Sequence, residues 1–474
     1  MTIEQITLRR RKHSRIPVDW LTSVSIPQHP AGHSSLEGKV KNVGDGGIGI
    51  IVSAKTLPER LLNHRLVRLK LQAESVELPL TGRVVWSAQS DQLVEYGLAF
   101  QDPVPEMRSN LQELIFLDRG YVSKLGYSLL SNGWPKDEKH EQVEREIEVF
   151  FAFELTEFIK KLILWQKETE NLEKYSDYHV VSLINTSESL LQKINEIEKM
   201  VPDRALRKGL RRAFRNATAN WAYTSELVKR GYEKPLGYPG DYYMLELIYN
   251  NRRTSSGFGA YWDGYFLNDP YAHAVRNRKD LMKQIIQDFL DSTKAAQPRI
   301  LNLASGSCRE IRELYANENR FQTTPIFTCV DQDEESIKFA QTALSINREK
   351  PSIVFIKENI LHYARYPERY FRGLLGQDLV YSIGLADYLP DKILQGLITF
   401  AYKVLRKKGK LVLAHKDCDT HAPLAPKWYC DWEFIPRIEG YFLKLIRDAG
   451  IAEPVITTRD KTKHIFFVTI QKCS

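Results

Sequence analysis

The sequence contains few cysteines and no long apolar segment. Five cysteines are scattered over 474 residues, and this odd, dispersed set indicates free thiols in a reducing compartment rather than a disulfide framework. No apolar run approaches the roughly 18 residues that a membrane-spanning helix needs, and residues 1–15 lack the apolar core of a signal peptide. These absences predict a cytoplasmic protein without a membrane span.

The net charge is small for the length of the chain, but it is unevenly placed. The formal value is +8. Residues 1–15 carry +4 and residues 204–230 carry +7, whereas residues 137–148 carry −4. A protein that binds nucleic-acid polymers usually spreads basic residues over a whole face. The clustering therefore argues against such a binder and favours local sites for small anions, with residues 204–230 as a solvated helix surface or a partner of the acidic segment.

The pattern of apolar residues predicts a multidomain protein. Up to residue 102, short alternating apolar runs are broken by Gly, Asn and Asp turn signals, which is typical of a small antiparallel β-barrel. Helical periodicity then extends from about residue 140 to residue 291. After Pro298, strands alternate with helices, which predicts an α/β doubly wound, Rossmann-like sheet of parallel strands. We place the barrel at 9–120, a helical region with a substrate lid at 136–296 and the α/β domain at 297–474.

The α/β part contains six candidate strands with helical patterns between them. Two of these helical patterns cover residues 334–344 and 391–405. Short apolar runs bounded by polar turns suit strands that are buried on both faces. The candidate strands are 299–304, 325–330, 353–356, 378–383, 410–415 and 464–470.

Two arginines, Arg11 and Arg15, stand four residues apart just before the first predicted strand. A glycine-rich turn follows at residues 42–47 (NVGDGG). Guanidinium groups bind phosphate through two hydrogen bonds and pair with the O6 and N7 of guanine. Taken alone, these residues are compatible with a basic arm beside a plain hairpin, or with a site for a ligand that carries phosphates and purines.

The wider segment, residues 9–102, resembles a PilZ domain, the bacterial receptor module for cyclic di-GMP. The resemblance rests on the Arg11-x-x-x-Arg15 spacing, on the 42–47 turn, and on residues 82–86 (GRVVW) and 96–100 (YGLAF). The family usually has Ser or Ala where this chain has Gly44. The resemblance implies that cyclic di-GMP is a regulatory ligand, held by Arg10, Arg11, Arg15, Asn42, Gly44 and Gly47.

A second candidate site lies where the first strand of the α/β part ends in a loop, residues 304–310 (ASGSCRE), before a helix. In a doubly wound fold, a strand end and a helix N-terminus at this place can hold a polar ligand group. The next strand ends at Asp331, 25 residues after Gly306, where a carboxylate can accept hydrogen bonds from ribose hydroxyls. The dinucleotide fingerprint G-x-G-x-x-G is absent.

In order and spacing, these segments resemble class I S-adenosylmethionine-dependent methyltransferases. The resemblance implies S-adenosylmethionine (SAM) as cofactor, with its methionine part at the first loop, its ribose at the second strand and its adenine beside the third. Ala304 and Cys308 replace two glycines of the usual G-x-G-x-G. The implied cofactor-binding residues are Ala304, Gly306, Asp331, Asn359, Ile360 and Ser382.

A narrower resemblance covers about residues 140–474. Its segments look like bacterial proteins assigned to the biosynthesis of 3-hydroxypalmitic acid methyl ester, an extracellular signal. The resemblance implies that the acceptor is a fatty-acid carboxylate and that the helical region belongs to the enzyme. The matching segments are 231–244 (GYEKPLGYPGDYYM), 272–278 (AHAVRNR), 302–310 (NLASGSCRE) and 431–437 (DWEFIPR).

A carboxylate acceptor is already ionised at pH 7, so it needs positioning rather than a general base. Either Arg276 or Arg278 can supply the cation that this acceptor requires. An apolar lid over it is predicted from Tyr238, Tyr242, Tyr261 and Trp262.

Acceptors with a hydroxyl or amine would instead need a base. Asp241 is a candidate but also fits the N-cap of a helix over 242–250, and His273 also fits a packed or solvated helix residue. The spacing of His415, Cys418 and His421 matches no standard zinc pattern, so we predict no metal. The catalytic candidates are Tyr238, Asp241, His273, Arg276 and His415.

The sequence therefore predicts a cyclic di-GMP-responsive, SAM-dependent methyltransferase that acts on the carboxylate of a 3-hydroxy fatty acid or a similar small molecule. The expected partners are that acceptor and cyclic di-GMP, without nucleic-acid polymers, and the oligomeric state is open. One alternative is a non-catalytic cyclic di-GMP effector that uses the methyltransferase-like part as an interaction surface. Another is an enzyme whose barrel is a structural adaptor without nucleotide.

Overall fold

The computed structural model describes residues 16–25, 35–44, 47–53, 66–73, 76–89, 93–100, 122, 126, 130, 138–170, 175–316, 323–345 and 352–473. The chain divides into two compact units. One is built from Met1–Lys167 with Glu196–Ala213, and the other from Glu168–Asn195 with Phe214–Ser474. The predicted helical region therefore contributes to both units.

A closed antiparallel barrel forms the first part of the chain, as predicted. Its strand order is β1-β2-β3-β6-β5-β4, and pairing of β1 with β4 closes the ring. Apolar side chains alternate along the strands and point inward, so Val40, Ile50 and Leu69 are almost fully buried. The strands are β1 (Ile16–Ser25), β2 (Ser35–Gly44), β3 (Gly47–Ser53), β4 (Leu66–Ala73), β5 (Val76–Gln89) and β6 (Leu93–Phe100).

The glycine-rich turn joins β2 to β3, and Gly44 pairs with Gly47 at its base. A Cβ atom on Gly47 would stand only 2.1 Å from the carbonyl oxygen of Leu98 on β6. Any side chain here would push β3 away from its neighbour, so this glycine is needed for strand packing as well as for the turn.

Fifteen α-helices are described in the rest of the chain. The first two are joined by a π-helical segment, Phe150–Leu155. The helices are α1 (Glu138–Val149), α2 (Thr156–Glu170), α3 (Asp177–Met200), α4 (Arg204–Ala222), α5 (Glu226–Glu233), α6 (Tyr242–Asn250), α7 (Gly259–Asn268), α8 (Pro270–Ser292), α9 (Arg309–Ala316), α10 (Glu334–Ser345), α11 (Ile360–Arg365), α12 (Pro367–Leu374), α13 (Asp391–Lys403), α14 (Leu424–Cys430) and α15 (Glu439–Asp448).

Basic residues of α4 form specific contacts rather than a uniformly solvated face. Arg211 forms an ion pair with Glu198 on α3. Arg215 is buried and its Nη1 atom lies 3.0 Å from a carboxylate oxygen of Asp431. The positive charge of this segment is therefore partly used to join elements within each unit.

The α/β part is a seven-stranded sheet of order β12-β13-β11-β10-β7-β8-β9. Six strands run in the same direction, whereas β13 runs antiparallel to both β11 and β12. The predicted doubly wound α/β fold is confirmed, but the strand predicted at 464–470 is not parallel to the others. The strands are β7 (Arg299–Leu303), β8 (Ile326–Asp331), β9 (Ser352–Lys357), β10 (Gln377–Ser382), β11 (Leu405–Lys416), β12 (Val455–Arg459) and β13 (Ile465–Gln471).

Strand β12 was absent from the sequence prediction because it lies at the edge of the sheet and leaves most of its side chains exposed. An edge strand with the sequence VITTR carries no continuous apolar run, which was the signal used for the other strands. Its pairing with β13 is antiparallel, so this part of the sheet is a hairpin rather than a strand–helix–strand unit.

Helices cover both faces of the sheet. Successive residues of β7 point to opposite faces, so Ile300 packs in the core with α8, α9 and α10, and Leu301 packs in the core with α13 and α15. The order reverses between β7 and β10, since β7 continues to β8 on one side and β10 continues to β11 on the other. Ligands of open α/β sheets bind at such a reversal, outside the carboxyl ends of the strands.

None of the helices in the described ranges is long and apolar enough to span a membrane. In the same ranges, His, Cys, Asp and Glu side chains form no group of three that is arranged to hold a metal ion.

The start of α8 supplies a test of pH dependence. Asp269 caps this helix by accepting the amide proton of Tyr271 at 2.7 Å, and burial raises its pKa from 3.8 to about 7. Because the folded state holds this proton more tightly, the free energy of unfolding should fall as pH rises from about 4 to about 7. Asp269→Asn keeps the capping oxygen and removes the titration. Its stability relative to wild type should therefore be greater at pH 8 than at pH 5.

Urea unfolding at both pH values measures this difference. Asp241→Asn is the matched control, because Asp241 caps α6 but forms an ion pair with Arg230. This variant should be less stable than wild type at both pH values. An Asp269→Asn variant whose relative stability is the same at pH 5 and pH 8 would show that Asp269 does not titrate in this interval.

Candidate functional site

A cavity of about 280 Å³ lies where the strand order reverses. Loops after β7, β8, β9 and β10 line it, and residues of the segment before α6 and of its first turn cover it. It therefore occupies the ligand-binding crevice expected for a doubly wound sheet. Its lining residues are Tyr238, Pro239, Gly240, Tyr242, Leu245, Ala304, Gly306, Asp331, Gln332, Asn359, Ile360, Leu361, Gly384, Leu385, Tyr388 and Leu389.

The loop after β7 has the backbone of a glycine-rich loop although it contains one glycine. Ala304, Gly306 and Cys308 have φ angles of 58°, 53° and 51°. This left-handed conformation costs a residue with a side chain about 1–2 kcal/mol, so Ala304 and Cys308 are held there by their surroundings. A Cβ on Gly306 would meet no atom within 4 Å, which leaves open space above the loop. The two substitutions thus keep the conformation that their glycine counterparts favour.

Asp331 forms the acidic wall of the cavity at the end of β8. One carboxylate oxygen accepts the amide proton of Gly306 at 2.7 Å, and the other accepts that of Asp333 at 3.0 Å. Burial raises the pKa of this carboxyl, whereas the backbone hydrogen bonds oppose the shift. These bonds fix the orientation of the carboxylate beside the loop, where its remaining lone pairs can accept hydroxyl protons.

The segment after β9 contributes Asn359 and Ile360 to the cavity lining. Asn359 caps α11, because its side-chain oxygen accepts the amide proton of Leu361 at 2.9 Å. Ser382 is a different case, since it is buried and lies outside the cavity lining. Its hydroxyl donates to the carbonyl oxygen of Leu303 at 2.8 Å, which joins β7 to β10 where the two strands separate.

The segment before α6 closes over the cavity. Tyr238 lines it, and the Tyr238 hydroxyl hydrogen-bonds to the carboxylate of Asp333 beyond β8. Asp241 is buried, caps α6 by accepting the amide proton of Met244 at 2.8 Å, and pairs with Arg230 at 2.8 Å. Both of its carboxylate oxygens are therefore used to hold this segment in place, which favours the capping interpretation of Asp241.

Sequence reasoning missed Glu246, which connects α6 to the loop at residues 304–310. Its buried carboxylate accepts hydrogen bonds from Ser307 at 2.6 Å and from Arg309 and Arg312, each at 2.8 Å. Charge-assisted hydrogen bonds of this kind are among the strongest in proteins. Because its partners are more than 60 residues away in the chain, no local pattern indicates this role.

Besides Asp241, three further catalytic candidates lie outside the cavity lining. His273 is exposed on α8. Arg276 donates to the carbonyl oxygens of Leu267 at 2.9 Å and Ile248 at 3.4 Å, so it links helices. His415 is 1% exposed, stacks on Phe442, and has its Nδ1 atom 2.7 Å from Asp387. Its surroundings are those of a packed core histidine.

In the barrel, the described part of the predicted nucleotide site consists of Asn42, Gly44 and Gly47. Asn42 pairs with Gly49 of β3, and its side chain lies over this glycine. The side chain is therefore held beside the turn that Gly44 and Gly47 close. Arg10, Arg11 and Arg15 lie outside the described residues.

Residues 9–117 match the PilZ domain family. This match confirms the predicted N-terminal resemblance over that part of the chain. No curated protein is significantly similar to the chain.

Solved structures give further similarities, each over part of the chain. A possible exported protein from Bordetella parapertussis is 15% identical, with 68% of this chain and 96% of that chain covered and a TM-score of 0.38. A magnesium protoporphyrin IX methyltransferase from Synechocystis, solved with SAM, is 10% identical over 43% and 84%, with a TM-score of 0.32. A SAM-dependent methyltransferase from Methanosarcina mazei is 18% identical over 40% and 97%, with a TM-score of 0.29. At these values, the similarities assign no activity.

The position of Asp331 allows the predicted cofactor site to be tested. Asp331→Asn removes the charge but keeps the size of the side chain. We expect the affinity for S-adenosylhomocysteine to fall about 10- to 100-fold, because hydrogen bonds to a charged group contribute about 1.5–3 kcal/mol. Calorimetric titration measures this change, with thermal unfolding to verify that the variant is folded.

Asp333→Asn is the matched control, since this neighbouring acid contacts Tyr238 and does not line the cavity. Its effect on affinity should be smaller than that of Asp331→Asn. Unchanged binding by Asp331→Asn, when wild type binds, would remove Asp331 from the cofactor site.

Proposed function

We propose that this chain is a cyclic di-GMP-responsive, SAM-dependent methyltransferase that acts on the carboxylate of a 3-hydroxy fatty acid or a similar small molecule. The observation that carries the proposal is the backbone conformation of the loop at residues 304–310. Three alternate residues of this loop, Ala304, Gly306 and Cys308, have left-handed backbone at the reversal of strand order. A buried carboxylate, Asp331, stands beside them at the end of the next strand.

The residues that are present fit SAM. Space above Gly306 accommodates a ligand group close to the backbone, and Asp331 offers acceptors for ribose hydroxyls. Asn359 and Ile360 would lie beside the base, while the largely apolar remainder of the cavity would surround it. SAM, when bound, supplies a methyl group carried on a positively charged sulfur.

A carboxylate acceptor fits the described lining of the cavity, in which the one carboxylate, Asp331, accepts two backbone hydrogen bonds. The acceptor is ionised at pH 7, so the protein must only hold it in line and keep water away. Tyr238 and Tyr242 cover the cavity, and the Glu246 contacts fix the helix that carries Tyr242. His273, Arg276 and His415 then need no part in proton transfer.

The acceptor can be identified in cells by its product. Cells that contain the wild-type chain should accumulate a methyl ester of a 3-hydroxy fatty acid, detectable by mass spectrometry of lipid extracts. Cells with Asp331→Asn at the same protein level should contain much less of it. A methylated hydroxyl or amine in place of the ester would contradict the carboxylate acceptor.

The proposed regulation by cyclic di-GMP rests on the match of residues 9–117 to the PilZ family and on the motif residues at the start of that segment and in its glycine-rich turn. Cyclic di-GMP would be bound by Arg11, Arg15 and the turn at Asn42, and its binding would shift the conformational equilibrium of the helical region. Any such coupling must be reciprocal, because it is a free energy shared by two binding equilibria. SAM must therefore change the affinity for cyclic di-GMP by the same factor as cyclic di-GMP changes the affinity for SAM.

Calorimetric titrations test this coupling. We expect wild type to bind cyclic di-GMP and its affinity to shift about 5- to 150-fold when S-adenosylhomocysteine saturates the other site, as is typical of allosteric coupling. Arg15→Ala should abolish nucleotide binding, whereas Arg9→Ala, a neighbouring arginine outside the motif, should not.

Two outcomes would contradict the regulatory proposal. Absence of cyclic di-GMP binding to wild type, or equal binding by wild type and Arg15→Ala, removes the nucleotide site. Equal affinities with and without the second ligand remove the binding coupling while leaving both sites intact.

A further inference from the structure

A buried arginine that the methyltransferase proposal does not use lies beside the cavity. Arg278 is on α8, is 4% exposed, and its Nε–H has no hydrogen-bond partner among the described residues. Burying a charged group without full hydrogen bonding is costly. Such a guanidinium is unusual in a protein core unless a ligand completes its surroundings.

The guanidinium stands directly behind one wall of the cavity. Its Nη2 atom is 3.4 Å from the place that a Cβ of Gly384 would occupy, and Gly384 lines the cavity just after β10. Tyr388, another lining residue, also lies near Arg278. Because Gly384 has no side chain, this lining residue places no side-chain atom between the guanidinium and the cavity.

Asp387 orients the guanidinium of Arg278 but does not satisfy all of its hydrogen-bond donors. Its Oδ2 atom is 3.7 Å from Nη1 of Arg278, beyond hydrogen-bond distance. Its Oδ1 atom accepts the amide proton of Lys416 at 2.9 Å and lies 2.7 Å from Nδ1 of His415. Although burial raises the pKa of Asp387, the neighbouring His415 and Arg278 hold it below its usual value, so the carboxylate stays ionised as the counter-charge of the arginine.

Arg276 differs sharply from Arg278 although both are on α8. Arg276 donates to two backbone carbonyls of neighbouring helices and lies away from the cavity lining. Of the two arginines that the sequence offered as acceptor-binding cations, Arg278 is the one that lies close to a lining residue, Gly384, and its Nε–H has no partner among the described residues.

We propose that Arg278 binds the carboxylate of the methyl acceptor at the edge formed by Gly384, and that Gly384 determines access to it. This inference rests on the proposed methyltransferase function and deepens it, since it makes acceptor recognition depend on negative charge. A guanidinium donates two parallel hydrogen bonds to a carboxylate, which fixes orientation as well as affinity. Asp387 acts as a positioning residue, because it contacts the arginine and not the acceptor.

Binding of an acid and of its neutral analogue distinguishes recognition from a purely structural ion pair. The probes are 3-hydroxydodecanoate and 3-hydroxydodecanamide, titrated into the full chain with and without saturating S-adenosylhomocysteine. Wild type should bind the acid about 10- to 100-fold more tightly than the amide, as expected for hydrogen bonds between charged groups. Arg278→Gln should bring this ratio close to one while S-adenosylhomocysteine still binds.

Arg276→Gln is the matched control, and its acid-to-amide ratio should equal that of wild type even where its thermal stability is lower. If Arg278→Gln does not fold, Gly384→Ala gives the answer, because it places a methyl group 3.4 Å from Nη2 and keeps every charge. We expect this variant to reduce the acid-to-amide ratio several-fold.

The possible outcomes separate the inference from the function on which it rests. A wild-type ratio near one, or a ratio that survives both Arg278→Gln and Gly384→Ala, overturns the role of Arg278. Failure of wild type to bind SAM and S-adenosylhomocysteine overturns the proposed function. In that case, a preference for the acid over the amide that is measured without cofactor and is lost in Arg278→Gln would still support the role of Arg278.

Discussion

The separation of β7 and β10 at their carboxyl ends is the constraint on which the rest of the site depends. These neighbouring strands send their following helices to opposite faces of the sheet, α9 to one and α13 to the other. The backbone between them can no longer form ladder hydrogen bonds, and Ser382 satisfies the carbonyl of Leu303 instead. The space opened by this divergence becomes the cavity.

Each wall of the cavity is then held by a contact between distant parts of the chain. Glu246 joins α6 to Ser307 in the 304–310 loop, and Tyr238 joins the covering segment to Asp333. The loop itself keeps two residues with side chains in left-handed conformation. Such strain persists only where the surroundings determine the backbone, which agrees with the number of polar contacts around it.

Features that depend on local pattern could be predicted from the sequence. The barrel strands alternate, the central α/β strands are continuous apolar runs, and Asp331 stands at a fixed distance after the loop that contains Gly306. These signals arise because side-chain periodicity follows from backbone geometry. Together with the methyltransferase resemblance, they named seven of the sixteen described residues that line the cavity.

What could not be predicted depends on tertiary contacts. Nothing in the sequence distinguishes Arg276 from Arg278, since they are two residues apart on one helix. Only the fold brings Arg276 to backbone carbonyl groups and Arg278 close to Gly384, a residue of the cavity lining. The sequence was compatible with Asp241 as a base or as a helix N-cap, and its ion pair with Arg230 favours the cap. The strand β12 was missed because an edge strand need not be apolar.

The position of β13 has a consequence for how the sheet is completed. This strand follows β12 in the chain yet is inserted between β12 and β11, hydrogen-bonding to both. During synthesis, the edges of β11 and β12 that pair with β13 therefore stay unpaired until residues 465–471 have been made. An apolar edge such as that of β11 is a template for pairing with other chains. Folding of this sheet is therefore exposed to misassembly until its last-made strand arrives.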